Sequence, residues 1–139
     1  MTKEFVLGID EIGKLISFLK KKAPKGGIFL LKGDLASGKT TLVKEFCKEA
    51  GIKESVSSPT FSVLNIYEDR VYHYDIYNKG LKEFLSMGLL ETLEEEGYHF
   101  IEWADENLEE ILKNYGYNYF KISITPIEDK RVYKVEYES

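Results

Sequence analysis

The residues most able to do chemistry stand side by side: Gly33-Asp34-Leu35-Ala36-Ser37-Gly38-Lys39-Thr40 has two glycines, a Gly-Lys pair and a hydroxyl at the spacing of a phosphate-binding loop. In such a loop successive backbone N–H groups point into one concavity. The positive end of the following helix adds to their field, so a polyphosphate is held mainly by main chain. Asp34, Leu35, Ala36, Ser37 and Gly38 supply that cradle, and Thr41 follows it into the helix. Lys39 reaches the outer phosphates as a point charge, and the Thr40 hydroxyl completes the shell of a Mg²⁺ that bridges them.

Nucleotide hydrolysis asks for two further groups: a carboxylate for the magnesium shell, and something to orient the attacking water or accept its proton. Glu102 follows the apolar run Tyr98–Ile101 and is placed like an acidic residue that helps hold magnesium, directly or through water. Asp75 lies within the apolar and aromatic run Val71–Tyr77. An unpaired carboxylate inside such a strand is costly to desolvate, which favours a functional reading of Asp75. His73, two residues earlier, is either a packing or hydrogen-bonding neighbour or a member of the site. His99 reads as core filler. Trp103 is a lid over a nucleotide, an anchor for a partner, or simply a buried ring.

Strands and helices have to bring these groups together. Ile28 to Leu31 read as a buried strand ahead of the loop, and Leu42, Val43, Phe46, Cys47 and Ala50 recur at helical spacing behind it. Ile12, Leu15, Ile16 and Leu19 predict an earlier helix over 10–22, with Asp10 as its N-cap. Residues 61–67 and 71–77, separated by Glu68-Asp69-Arg70, predict an antiparallel hairpin. Period two puts His73 and Asp75 on one face of its second arm and Tyr72 and Tyr74 on the other. One helix is expected from Leu81 to the acidic run Glu94-Glu95-Glu96, ended by Gly97, and another over Leu108, Ile111, Leu112 and Tyr115, closed by Gly116. Tyr98–Ile101 then delivers Glu102 and Trp103 at the carboxyl end of a strand, where open α/β sheets bind ligands. The alternations Phe120-Ile122-Ile124 and Tyr133-Val135-Tyr137 close the chain on a second hairpin. The expected fold is α/β: a three-layer sandwich with flanking helices around a mixed parallel and antiparallel central sheet.

With 139 residues, 43% of them apolar, and eight Phe and ten Tyr, the chain can fill one core, so residues 1–139 are expected to form a single domain. Its net charge of −5 excludes a broad cationic surface for nucleic acid, and any RNA is expected to be held by a partner. The local cluster Lys20-Lys21-Lys22 with Lys25 suits a helix C-terminus. A lone cysteine, Cys47, excludes metal–thiolate chemistry. Without a long apolar run or a signal-type N-terminus, a soluble, cytoplasmic protein is expected. Arginine is scarce, with only Arg70 and Arg131.

Four ordered motifs carry a family resemblance: Gly-Asp-Leu-x-x-Gly-Lys-Thr-Thr at 33–41, Ser58-Pro59-Thr60-Phe61, His73-Tyr74-Asp75-Ile76-Tyr77, and Ile101-Glu102-Trp103. In this order and spacing the chain resembles the bacterial TsaE (YjeE) family, the small P-loop ATPases of tRNA threonylcarbamoyladenosine synthesis. The resemblance runs from about residue 8 to about residue 137. It implies a P-loop NTPase fold, ATP and Mg²⁺ as ligands, slow hydrolysis by the isolated protein, and work with the TsaB–TsaD heterodimer that attaches threonylcarbamoyl to A37 of tRNAs reading ANN codons. By motif position it gives Lys39 and Thr40 the phosphate and magnesium contacts and Glu102 a place in the magnesium shell. Asp75 takes a catalytic role beside Lys39, and Thr60 that of a nucleotide-sensing loop. Arg131 matches a family arginine near the nucleotide, and Trp103 belongs to the last motif. Two positions depart from the pattern. Ala36-Ser37 stands where the family usually has Gly-Ala, and Asn78 where it usually has arginine.

The same loop serves small phosphotransferases, such as nucleoside or metabolite kinases. Those enzymes need several arginines to clamp two phosphate groups, and this chain has two in all. A guanine-nucleotide switch is excluded at Asn78-Lys79, because Gly80-Leu81 follows in place of the x-Asp of a base-reading motif. A scaffold with a decayed loop fits poorly with intact Lys39, Thr40, Asp75 and Glu102.

Overall fold

A strand covered on both faces reads as an unbroken apolar run, because neither set of alternating side chains meets water. Ile28 to Leu31 are such a run. They form the middle of β2 (Gly27–Lys32), which is hydrogen bonded in parallel to β5 (Tyr98–Glu102) on one side and β6 (Phe120–Ile127) on the other. The structure, a computed structural model, describes residues 1–34, 36–56, 63–77 and 80–138, with the backbone alone at 80 and 81.

The remaining strands are β1 (Thr2–Leu7), β3 (Leu64–Tyr67), β4 (Val71–Asp75) and β7 (Lys130–Glu136). All seven form one sheet in the order β1-β7-β6-β2-β5-β4-β3, with β6, β2, β5 and β4 mutually parallel and the outer strands antiparallel to their neighbours. The helices are α1 (Gly13–Lys22), α2 (Lys39–Glu49), α3 (Gly80–Ser86), α4 (Leu89–Thr92) and α5 (Glu106–Asn114). Phe29 and Leu31 of β2 face one core with Leu15 and Leu19 of α1 and Leu42 and Phe46 of α2. Leu30 of the same strand faces the other, with Phe84 of α3, Leu89 of α4 and Leu108 and Leu112 of α5. Alternation along one strand thus builds three layers, as the sequence predicts.

Register is fixed by aromatic pairing across the centre. Phe29 stands opposite Phe100 and Phe120, and its ring stacks on theirs at 5.1 and 4.9 Å between centroids. A slip of β2 by one residue would turn Phe29 to the face opposite the other two rings.

Two local expectations are corrected. Asp10 caps nothing: Ile9–Glu11 is a 3-10 turn, the α-helix starts only at Gly13, and the Gly8 N–H donates at 3.0 Å to the carboxylate of Glu11. The helix expected from Leu81 through 96 is two short helices, broken where Gly88 adopts φ 72°. Tyr115 is 65% exposed and not a core residue; Leu108 and Leu112 carry that face. The edge strand β1 has no clear sequence signature, because most of its side chains face solvent and chiefly Phe5 and Leu7 pack inward.

His99 and Cys47 are structural, in line with the sequence reading. His99 Nδ1 pairs with the Tyr74 hydroxyl at 2.7 Å, Nε2 with the Glu95 carbonyl at 2.7 Å, and burial pulls its pKa down. Burial pushes the Cys47 thiol up to about 11. Among the described residues no helix is long and apolar enough to cross a membrane.

Candidate functional site

The site forms where the sheet changes direction. From β2 the chain goes by way of α2 to β3 and β4 on one side, and later returns from β5 through α5 to β6 on the other, so a crevice opens at the carboxyl end of β2. The phosphate loop occupies that crevice. Of its two motif glycines, Gly33 is needed by close approach to backbone as much as by backbone angle, and Gly38 chiefly by backbone angle. A Cβ on Gly33 (φ 153°) would lie 2.8 Å from the Ile124 carbonyl oxygen, and one on Gly38 (φ 112°) 2.8 Å from the guanidinium carbon of Arg131. Ala36, where the family resemblance would have glycine, holds φ 62°. The loop therefore keeps a left-handed turn at a position where the side chain opposes it.

Lys39, at the start of α2, is 5% exposed. Its Nζ donates to the carbonyls of Gly33 at 2.6 Å and Asp34 at 3.0 Å and lies 3.9 Å from the centroid of the Trp103 ring. Burial pulls its pKa down, opposed by the charges of Glu102, Asp75 and Asp34. An ammonium so placed is poorly hydrated, and its direct contacts among the described residues are carbonyl dipoles and a π face, an arrangement that phosphate oxygens can improve.

Thr40 Oγ1 donates to Glu102 Oε2 at 3.0 Å. Glu102 is the last residue of β5, 3% exposed, and stands opposite Leu31 of β2 and Asp75 of β4 in register. Two carboxylates at adjacent strand ends and a hydroxyl from the first turn of α2 thus line one cavity. No group of three or more His, Cys, Asp or Glu is arranged for a metal among the described residues. That suits magnesium in a nucleotide site, which takes one or two carboxylates and completes its shell with phosphate oxygens and water.

Asp75 is not a carboxylate stranded in a core. It is the final residue of β4, half-buried, and its Oδ1 accepts the Tyr77 N–H at 3.1 Å. Contrary to the expectation from sequence, burial is not what singles Asp75 out; its position opposite Glu102 on the wall of the cavity is.

Trp103 follows Glu102 and has φ 70°, a conformation a bulky residue adopts only when its surroundings impose it. Its ring packs on Tyr77 at 4.7 Å and over Lys39. Lys32, just before the phosphate loop, ties down the turn: its Nζ donates to the Ala104 carbonyl and pairs with Glu109 of α5 at 2.9 Å. Lys121 pairs with the other oxygen of Glu109 at 3.0 Å. Sequence reasoning missed Lys32 and Glu109, whose faint signal is a cation ending a buried strand.

Ala36, Ser37, Gly38, Lys39, Thr40, Thr41, Asp75, Glu102, Trp103 and Arg131 line one cavity of about 400 Å³. Asp34 enters it through its carbonyl bond to Lys39. Arg131, on β7, reaches the loop against Gly38. Leu35, Thr60 and Asn78 lie outside the described residues. Arg70 is far away, at the opposite end of β4, donating to the Ala50 carbonyl. A cavity of about 690 Å³ beside it is larger but mixes Lys20, Lys25 and Arg70 with Glu49, Asp69 and Glu96, which gives no convergent chemistry.

Comparison with known proteins gives one consistent answer. Residues 8–133 match the family model described as threonylcarbamoyl adenosine biosynthesis protein TsaE. The chain is 34% identical over 119 residues to the tRNA threonylcarbamoyladenosine biosynthesis protein TsaE of Bacillus subtilis, covering 78% of this chain and 75% of that one. The Treponema pallidum protein of the same name is 37% identical over 90 residues, covering 63% and 67%. The crystal structure of Bacillus subtilis YdiB superposes with a TM-score of 0.71 at 25% identity, over all of this chain and 88% of that one. The phosphate loop, the acidic pair at the strand ends and the tryptophan beside them are thus set in a chain that belongs to the TsaE family of tRNA threonylcarbamoyladenosine biosynthesis.

Proposed function

We propose that this protein binds ATP with Mg²⁺ at the carboxyl ends of β2 and β5 and hydrolyses it slowly, as a partner-dependent component acting with the TsaB–TsaD pair in modification of tRNA position 37. The convergence of Lys39, Thr40, Glu102 and Asp75 on one cavity carries this reading. A cytoplasmic place goes with it.

In this mechanism the loop N–H groups seat the phosphates, and Lys39 exchanges the carbonyls of Gly33 and Asp34 for phosphate oxygens. Thr40 and Glu102 would hold magnesium, which would supply positive charge to offset that of the phosphates. Asp75 orients the attacking water and accepts its proton. Trp103 shields the lysine side of the cavity, and Arg131 brings a guanidinium to the loop. Thr60 is the nucleotide-sensing residue by its motif position.

Cationic help is thin. Arg131 is the one arginine against the loop, Arg70 points elsewhere, and Asn78 stands in place of an arginine. The partner pair therefore supplies a cation or orders Asp75 and the segment 57–60, and tRNA is engaged through those partners. The same scarcity weighs against a small kinase. Calorimetric titration with ATP and Mg²⁺ tests the site: wild type binds, and Lys39→Ala loses roughly 10- to 100-fold in affinity, the worth of a charged hydrogen bond. Equal affinity in the two proteins contradicts it.

A further inference from the structure

Glu102 is gripped from two sides at one oxygen. Thr40 Oγ1 donates to Oε2 at 3.0 Å, and His73 Nε2 lies 2.5 Å from the same atom. His73 sits mid-way along β4, fully buried, opposite Phe100 of β5. An ionised carboxylate only accepts, so Nε2 brings the proton to this contact. The other ring nitrogen, Nδ1, is buried and has no hydrogen-bond partner among the described residues. A buried nitrogen left unsatisfied is unfavourable, and an apolar side chain of similar size would fill the space without it. The histidine is thus poorly explained as packing. What it adds is one N–H aimed at Glu102. It is too deeply enclosed to touch a nucleotide.

We propose that His73 is a positioning residue for magnesium binding: it locks the Glu102 side chain in the orientation that meets the Thr40 hydroxyl and the metal. A free glutamate side chain loses rotamer freedom when a cation orders it. A carboxylate already held by a buried donor avoids that loss at the binding step, as partners of metal-ligating groups generally do. This inference rests on the reading of Glu102 as a magnesium-shell residue.

The test is ATP affinity by calorimetry, measured with Mg²⁺ and in excess EDTA, for wild type, His73→Leu and His73→Gln. In His73→Leu the gain in affinity due to magnesium falls roughly 10-fold or more, in line with other residues that support metal ligands. Its affinity in EDTA stays at the wild-type value. His73→Gln places an amide nitrogen near the position of Nε2 and restores most of the gain. A folded His73→Leu protein with the full magnesium gain overturns the proposal. A wild-type protein with no magnesium gain overturns instead the reading of Glu102. Should His73→Leu fail to fold by circular dichroism, the ¹⁵N resonances of the two wild-type histidines decide. His73 Nε2 shifts on adding ADP with Mg²⁺ and not with ADP in EDTA, while His99, paired with Tyr74 and Glu95, serves as the reference. No magnesium-dependent shift at His73 overturns the proposal as well.

Discussion

Lys39 and Trp103 are partners: the Lys39 ammonium lies 3.9 Å from the centroid of the Trp103 ring while it donates to two carbonyls of its own loop. The charge proposed to meet a phosphate is therefore held in a partly dehydrated place. Burial lowers the pKa of Lys39 from its ordinary value of 10.5, so the folded protein binds fewer protons than the unfolded chain on the alkaline side of neutrality. By linkage, the cost of burying this charge shrinks as pH rises through the lowered pKa, and phosphate affinity falls over the same range. ATP affinity should therefore begin to drop below pH 10.5, earlier than an ordinary lysine would allow. Calorimetry between neutrality and the alkaline limit of folding checks this. Lys39→Arg, whose charge does not titrate there, should give a flat profile even if its affinity is lower.

Ala36 at φ 62° stores backbone strain that glycine would not feel. A non-glycine residue in the left-handed region costs about 1–2 kcal/mol, and glycine gives back about 0.5–1 kcal/mol through the entropy of the unfolded chain. Ala36→Gly should thus be neutral to about 1 kcal/mol more stable by urea denaturation, whereas β-branched Ala36→Val should be less stable than wild type.

Lys32 holds the turn that carries Trp103, through the Ala104 carbonyl and Glu109. Lys32→Met should cost about 1.5–3 kcal/mol, the range for a hydrogen bond to a charged group, and should shift Trp103 emission to the red as the ring gains water. As the only tryptophan in the chain, Trp103 reports without interference. Unchanged emission in a folded Lys32→Met protein would show that the turn holds its shape without this anchor.

Much of the site is legible in sequence because its groups end local units. The run Ile28–Leu31, the glycine spacing and the periodicity after it place the loop, and Glu102 ends a short apolar strand. Other features depend on contacts that no window contains. Lys32 meets Ala104 across 72 positions and His73 meets Glu102 across 29, so neither pairing leaves a local pattern. The edge strand β1 is hidden for a related reason, since a strand that is mostly exposed has almost no apolar alternation. Asp75 shows the reverse: it looks buried in sequence because its neighbours are apolar, and it is half-exposed because the strand ends on it.

Asp75→Asn separates binding from chemistry. The amide keeps the shape and can still cap the Tyr77 N–H, but it is no base. ATP affinity should stay near wild type while partner-stimulated turnover falls about 10²- to 10⁴-fold, the usual contribution of a positioned general base. Wild-type turnover in Asp75→Asn would remove Asp75 from the mechanism and leave its turn-capping bond as its role.

The most direct measurement of the proposed function is steady-state ATP hydrolysis by this protein alone, with the TsaB–TsaD pair, and with that pair plus tRNA. With one arginine against the phosphate loop, the isolated protein should turn over far below the ~10 s⁻¹ typical of enzymes. A guanidinium supplied by a partner is worth about 10³–10⁵ in rate where it has been measured in related chemistry, so the complex should accelerate hydrolysis at least about tenfold. Fast hydrolysis by the protein alone, unchanged by the pair and by tRNA, would contradict the partner-dependent mechanism and favour a self-sufficient phosphotransferase.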